Sequence, residues 1–281
     1  MMYKSFLSKF GFVLAIAGAV LIPTTAKANV TGNTQTLIDW DQLATGWTAP
    51  TSGQVRTYSA GQGSVDLSFV LGNKTSFASF GGSGATPAIS STLNGSEGAD
   101  NKSLHIQMDA QAIGLGQGAN SVTMNTSFRG FSSPLNDVSF TLYDVDISTN
   151  NTWQDRIILK GFSGNQVVNP IFTPQLAQNN TIQIVDAYTI DGIRFDSNAN
   201  NGNNGNVLVK FASAIDRFEL VFTDGDDISI SNPQAHGIGI GDITYTIGVT
   251  QSVPEPASIL GLLVFGTFGL SSVVKRKQDN C

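Results

Sequence analysis

The sequence predicts an all-β body, an antiparallel β-sandwich, set between two apolar terminal segments. Three observations carry this. Short stretches of alternating apolar and polar residues recur between residues 65 and 247, the period of a strand with one face in a core. Turns rich in Gly, Asn, Ser and Thr separate them, residues that suit chain reversal. Signals for amphipathic helices are sparse in the same region.

Taken in order, the chain begins with Lys4 and Lys9, a 13-residue apolar stretch over 10–22, and Ala26-Lys27-Ala28. A positive region, a short apolar helix and a small-x-small site together describe a secretory signal peptide. Signal peptidase is expected to cut after Ala28, so residues 1–28 are removed and the mature chain starts at Asn29.

Residues 29–252 form the exported domain. Its first thirty residues show weak periodicity, and Trp40 and Trp47 are expected to anchor an early strand there. The first clear alternation is Val65, Leu67, Phe69 and Leu71, followed by Leu104, Ile106 and Met108, and then by Val122 and Met124. Val138, Phe140 and Leu142 form the clearest strand. Segments 157–159, 182–185 and 188–195 come next. Val207, Val209 and Phe211, then Phe218, Leu220 and Phe222, then Ile243, Tyr245 and Ile247 complete the series. Gly81-Gly82-Ser83-Gly84 and the polar run 198–206 are expected loops, because Gly and Asn tolerate positive φ. Strand number and length exceed those of a roughly 100-residue immunoglobulin-like sandwich, which favours a jelly-roll-like arrangement.

The body holds nine Lys or Arg against nineteen Asp or Glu, a formal charge of −10 where the whole chain has −6. That excess argues against nucleic acid as a partner and is compatible with cation binding. The single cysteine, Cys281, stands at the last position, so the body has neither a disulfide nor a thiol nucleophile.

The candidate chemistry is acidic. If the strand from Val138 runs on regularly to Asp146, then Asp144 and Asp146 share the inward face with Phe140 and Leu142. Carboxylates on such a face must be paired, protonated or bound to a metal. Asp242 follows Ile238 and Ile240 in a comparable place, and Asp155 lies where it can reach the same end. Asp144, Asp146, Asp155 and Asp242 are therefore a candidate set for Ca²⁺, which takes six to eight oxygen ligands. The alternative ends the strand near Tyr143 and leaves the aspartates solvated or paired with Arg156. Asp224-Gly225-Asp226-Asp227 reads first as a turn and second as a calcium loop. Trp153, in a polar loop, either stacks on a sugar ring or caps the edge of the core.

An enzyme is not expected. The two histidines, His105 and His236, have no nucleophile elbow and no H-x-x-x-H pairing around them, and His105 falls within an expected strand. The body has only two glutamates, Glu97 and Glu219, and nothing singles out a glycosidase pair among the aspartates.

The end of the chain has three parts. Pro254-Glu255-Pro256 holds the backbone extended. An 18-residue uncharged run over 257–274 follows, about 27 Å as a helix and close to the roughly 30 Å of a bilayer core. Lys275-Arg276-Lys277 then favours the cytoplasmic side, leaving the body outside. This order, over 253–281, resembles the PEP-CTERM sorting signal of Gram-negative bacterial surface proteins. The segment Asp137-Val138-Ser139-Phe140-Thr141-Leu142-Tyr143-Asp144-Val145-Asp146 and the closing Gly237-Ile238-Gly239-Ile240-Gly241-Asp242-Ile243 also look like ectodomains often found with such tails. The resemblance implies an exosortase-type membrane protease as partner, membrane attachment through the C-terminal helix before processing, and delivery to the cell surface or an exopolysaccharide matrix. The expected role is structural or adhesive. A calcium-dependent carbohydrate-binding module is the first alternative and a surface hydrolase the second.

Overall fold

In the computed structural model, residues 33–79, 85–98, 101–111, 120–175, 181–194 and 202–247 are described, and all of them belong to one unit, Thr31–Val249. The signal peptide, the glycine loop 81–84, the first part of the polar run 198–206 and the sorting tail lie outside the described residues. No helix among the described residues is long and apolar enough to cross a membrane.

Alternation in sequence becomes alternation in burial. Val65, Leu67 and Phe69 are fully buried, whereas Ser64, Asp66 and Ser68 are only partly so. The described residues form seventeen strands: β1 (Asn33–Ile38), β2 (Val55–Ala60), β3 (Gly63–Leu71), β4 (Thr75–Phe77), β5 (Ala88–Ser90), β6 (Ser103–Ala110), β7 (Ser121–Arg129), β8 (Asn136–Tyr143), β9 (Asp155–Ser163), β10 (Gln166–Val168), β11 (Pro170–Pro174), β12 (Ile182–Ile184), β13 (Thr189–Gly192), β14 (Val207–Phe211), β15 (Arg217–Asp224), β16 (His236–Ile240) and β17 (Ile243–Ile247). Among the described residues one helical turn, α1 (Trp40–Leu43), interrupts them.

The strands form two antiparallel sheets. The first has nine strands in the order β1-β17-β8-β16-β6-β4, with β14 and β11 added at β8 and β5 at β6. The second has eight, in the order β12-β13-β9-β15-β7-β3-β2, with β10 on β9. Their inner faces meet in one core. Phe218 lies at its centre, stacked on Phe140 at 5.2 Å and tilted against Phe211 at 5.8 Å. Each such buried ring contributes roughly 1.5–3 kcal/mol relative to exposure.

Neither Trp40 nor Trp47 lies within a strand, although Trp47 stacks on Tyr58 of β2. The early strand is β1, and Trp40 opens α1, whose first turn is capped by Asp39 accepting from the Gln42 amide at 3.0 Å. The Trp40 indole Nε1 instead donates to Gly241 O at 2.9 Å. The expected strand over 188–195 is shorter in the structure, since β13 ends at Gly192.

β16 and β17 act as one long strand beside β8. Ile240 faces Leu142 and Thr244 faces Ser139, so four steps oppose three and one residue is extra. This bulge falls at Gly241-Asp242 and reverses the inward parity, from Ile238 and Ile240 to Ile243 and Tyr245. The glycines of this strand have a steric cause. A Cβ on Gly239 would collide with the Leu93 carbonyl oxygen, and one on Gly237 with Gln107 Oε1. Leu93 covers the outer face of the sheet at Gly239, and outward-pointing His105 has no exposed surface.

Gly239→Ala puts a methyl group into a backbone carbonyl that cannot give way cheaply. It is expected to cost about 1–3 kcal/mol, the usual range for overpacking. Urea unfolding should show a lower midpoint at an unchanged slope.

Candidate functional site: a buried histidine between two carboxylates

Asp155, Asp224 and His236 all continue the inward face of their strands. Asp155 shares parity with Ile157 and Leu159 on β9, Asp224 with Phe218, Leu220 and Phe222 on β15, and His236 with Ile238 and Ile240 on β16.

Asp155 and Asp224 are direct cross-strand partners in the second sheet. Two like charges so placed repel. The cation between them comes from the first sheet: His236 Nδ1 meets Asp155 Oδ1 at 2.5 Å, and His236 Nε2 faces Asp224 Oδ1 at 3.1 Å. The side chains of His236 and Asp155 are each 1% exposed and that of Asp224 6%. Trp153 stacks on the imidazole at 5.6 Å, and the edge of Phe222 packs against it at 4.9 Å.

Burial alone would lower the His236 pKa. Its hydrogen bond to Asp155, the close approach of Asp224 and the negative charge of both outweigh burial and push it up to about 9. Burial pushes the Asp155 carboxyl up, against the pull of His236 and of the Asp146 amide. The second oxygen of Asp155 accepts from Asp146 N at 3.0 Å, which ties the chain leaving β8 to the start of β9.

One residue further along β9, parity turns outward, and Arg156 forms a second knot. Its Nε and Nη2 grip both oxygens of Asp191 at 2.7 Å each, and Nη2 also reaches Asp226 at 2.8 Å. The hydrogen bond to Asp191 holds the guanidinium pKa above its ordinary value despite burial, and the bond to Arg156 holds that of Asp226 below the usual carboxylate range. Gln154, fully buried, donates to Gly192 O at 2.8 Å and accepts from Asp227 N at 2.9 Å.

Of the four carboxylates expected to hold calcium, the structure joins two, and it does so through a backbone amide: Asp146 N on Asp155. β8 ends at Tyr143, and Asp144 has φ +63°, so the regular strand that would align Asp144 with Asp146 stops before both. Asp146 is buried against Gly192, where the backbones approach too closely for any Cβ. Asp155 binds His236. Asp242 accepts from Trp40 N at 2.9 Å, and burial raises its pKa, with repulsion from Asp39, Asp41 and Glu97 adding to the rise. Among the described residues no group of three or more His, Cys, Asp or Glu side chains is arranged to hold a metal ion. The acidic run 224–227 is likewise divided: Asp224 goes to His236, Asp226 to Arg156 and Asp227 to Gln154. Arg156 pairs with Asp191 and Asp226 rather than with Asp144 or Asp146.

His236 and Asp224 are the members of this centre that periodicity could have found, because each extends an apolar alternation inward by one step. No family model matches the chain, and no curated protein matches it.

His236→Ala leaves two facing carboxylates buried without a cation. It is expected to destabilise the fold by about 3–5 kcal/mol in chemical denaturation. The pH dependence has a definite sign. The folded pKa of His236 lies above its ordinary 6.5, so its contribution is complete below about pH 6.5 and is lost as pH rises through about 9. Stability measured between pH 6.5 and 10 should fall by on the order of 3 kcal/mol, and His236→Gln should flatten that slope.

Proposed function

We propose that this chain is an exported surface or matrix protein whose β-sandwich serves a structural or adhesive role. The class is that of a β-sandwich ectodomain carried to the cell exterior by terminal signals, and the particular reading is a PEP-CTERM-type sorted protein. The observation that carries it is the order Pro254-Glu255-Pro256, uncharged run, Lys275-Arg276-Lys277, behind a body that begins after Ala28.

The body's architecture supports this reading. Successive long strands cross between the sheets, with β6, β8, β14 and β16 in one and β7, β9 and β15 in the other, a path we read as jelly-roll-like. Both imidazoles of the body face away from solvent. His236 is enclosed by Trp153 and Phe222, and His105 is buried with Nε2 3.2 Å from Gln107 Oε1, where burial lowers its pKa. Neither imidazole is accessible to a substrate, which weighs against a histidine-dependent surface hydrolase.

Replacing Pro254-Glu255-Pro256 by three alanines is expected to leave unprocessed precursor in the membrane fraction. Intact-mass analysis of protein from the cell exterior should give a wild-type chain that begins at Asn29 and lacks the C-terminal run. Normal maturation of the alanine variant would remove the sorting assignment.

A further inference from the structure

We propose that a cleft at the seam between the two sheets binds one ring of a neutral saccharide. This deepens the matrix reading by naming a ligand class, and it rests on that reading for its biological setting. Among the described residues β1 pairs only with β17 and β2 only with β3, so each is an edge strand of its sheet. Between them and α1 lies a cleft of about 170 Å³, with Thr36, Asp39, Gln42, Leu43, Tyr58 and Ser59 in its lining. Drug-sized ligands occupy roughly 300–1,000 Å³. This space suits a single sugar ring.

The lining has the composition such a ring requires. Tyr58 and Leu43 supply apolar surface for its C–H face. Tyr58 is stacked on Trp47 at 5.8 Å with 16° between the planes, and Trp47 is pinned by its indole N–H to Pro87 O at 3.0 Å. Trp47 also meets Trp40 edge-on at 6.1 Å, so the aromatic wall is fixed before any ligand arrives. Asp39 is positioned by the Gln42 amide at 3.0 Å and by Gln42 Nε2 at 2.7 Å, and its oxygens keep further lone pairs for hydroxyl donors. The Thr36 and Ser59 hydroxyls can both donate and accept.

Charge selects the class. Among the described residues of the lining, Asp39 carries the only charge, and no Lys, Arg or His accompanies it. A phosphate or a carboxylated sugar would meet the Asp39 carboxylate in the lining, within a body of formal charge −10; Arg56, whose charge acts on Tyr58, is not itself a lining residue. A neutral polyol meets only hydrogen-bonding partners. Trp153 is not among the residues that line this cleft.

The test is saturation-transfer NMR and competition titration on the intact chain in detergent, with methyl glycosides of glucose, galactose and mannose as probes and glucuronate as the charged comparison. At least one neutral glycoside should bind and glucuronate should bind more weakly. Tyr58→Ala should weaken binding about tenfold, Gln42→Ala should also weaken it, and Trp153→Ala should leave it unchanged. Tyr58→Phe, which keeps the stack, guards against misfolding of the alanine variant and should retain most of the affinity. Absence of binding by all three glycosides, equal binding of glucuronate, or full affinity in both Tyr58→Ala and Gln42→Ala would overturn the site. Normal export and tail processing alongside any of those results would sink the saccharide site alone and leave the matrix reading standing.

Discussion

Two carboxylates that face each other at the margin of one sheet need a cation, and the opposite sheet supplies it. Asp155 and Asp224 are paired across β9 and β15, and His236 enters from β16. Separating the sheets at this end would strand buried charge, at a cost of several kcal/mol per ion. The hydrophobic core alone does not impose such a restriction, since apolar contact is non-directional. The ion triad does, because a shift along either sheet misaligns the imidazole with one of its partners. Asp146 and Trp153 then take their places around it, one through its amide and the other through its ring.

A second constraint joins the beginning and end of the described body. The bulge at Gly241-Asp242 directs the Asp242 carboxylate to the Trp40 amide, while Gly241 O accepts from the Trp40 indole. Trp40 is thus held at two points by residues 202 and 201 positions away. Trp47 packs on Trp40, and Tyr58 packs on Trp47. The seam between the edge strands is therefore shaped by the bulge, through a chain of rings rather than through strand pairing.

How much of this is legible in the sequence follows from what strand periodicity encodes. Alternation marks β3, β6, β8, β14, β15 and β17, because their inward residues are large and apolar. It passes over β1 and β2, whose edge positions carry Thr, Gln and Ser on an exposed side. It passes over β16 as well, where alternate positions are glycine for want of space, beside Gln107 and Ile106 at Gly237 and beneath Leu93 at Gly239. The same rule reaches Asp155 but assigns it different company. It extends β8 through Asp144, where a positive φ follows the end of the strand, and its apolar signal ends at Phe222 and Ile238, one inward step from Asp224 and His236. Parity places all three triad members inward. Cross-strand register, which only the fold supplies, is what brings them together.

The body has few cations, and their positions divide its electrostatics into two kinds. Arg129, Lys210 and Arg217 pair with aspartates at the surface, where side chains are substantially exposed. Such pairs contribute little and weaken as salt rises, over a screening length of about 8 Å at physiological ionic strength. His236 is sealed from solvent, so salt has little access to its field. The electrostatic interaction that matters most to the joining of the sheets is thus also the one least exposed to the medium. For a domain without cysteines in its body, working outside the cytosol under our reading, that placement gives a fixed inter-sheet link that depends neither on redox conditions nor on external ionic strength.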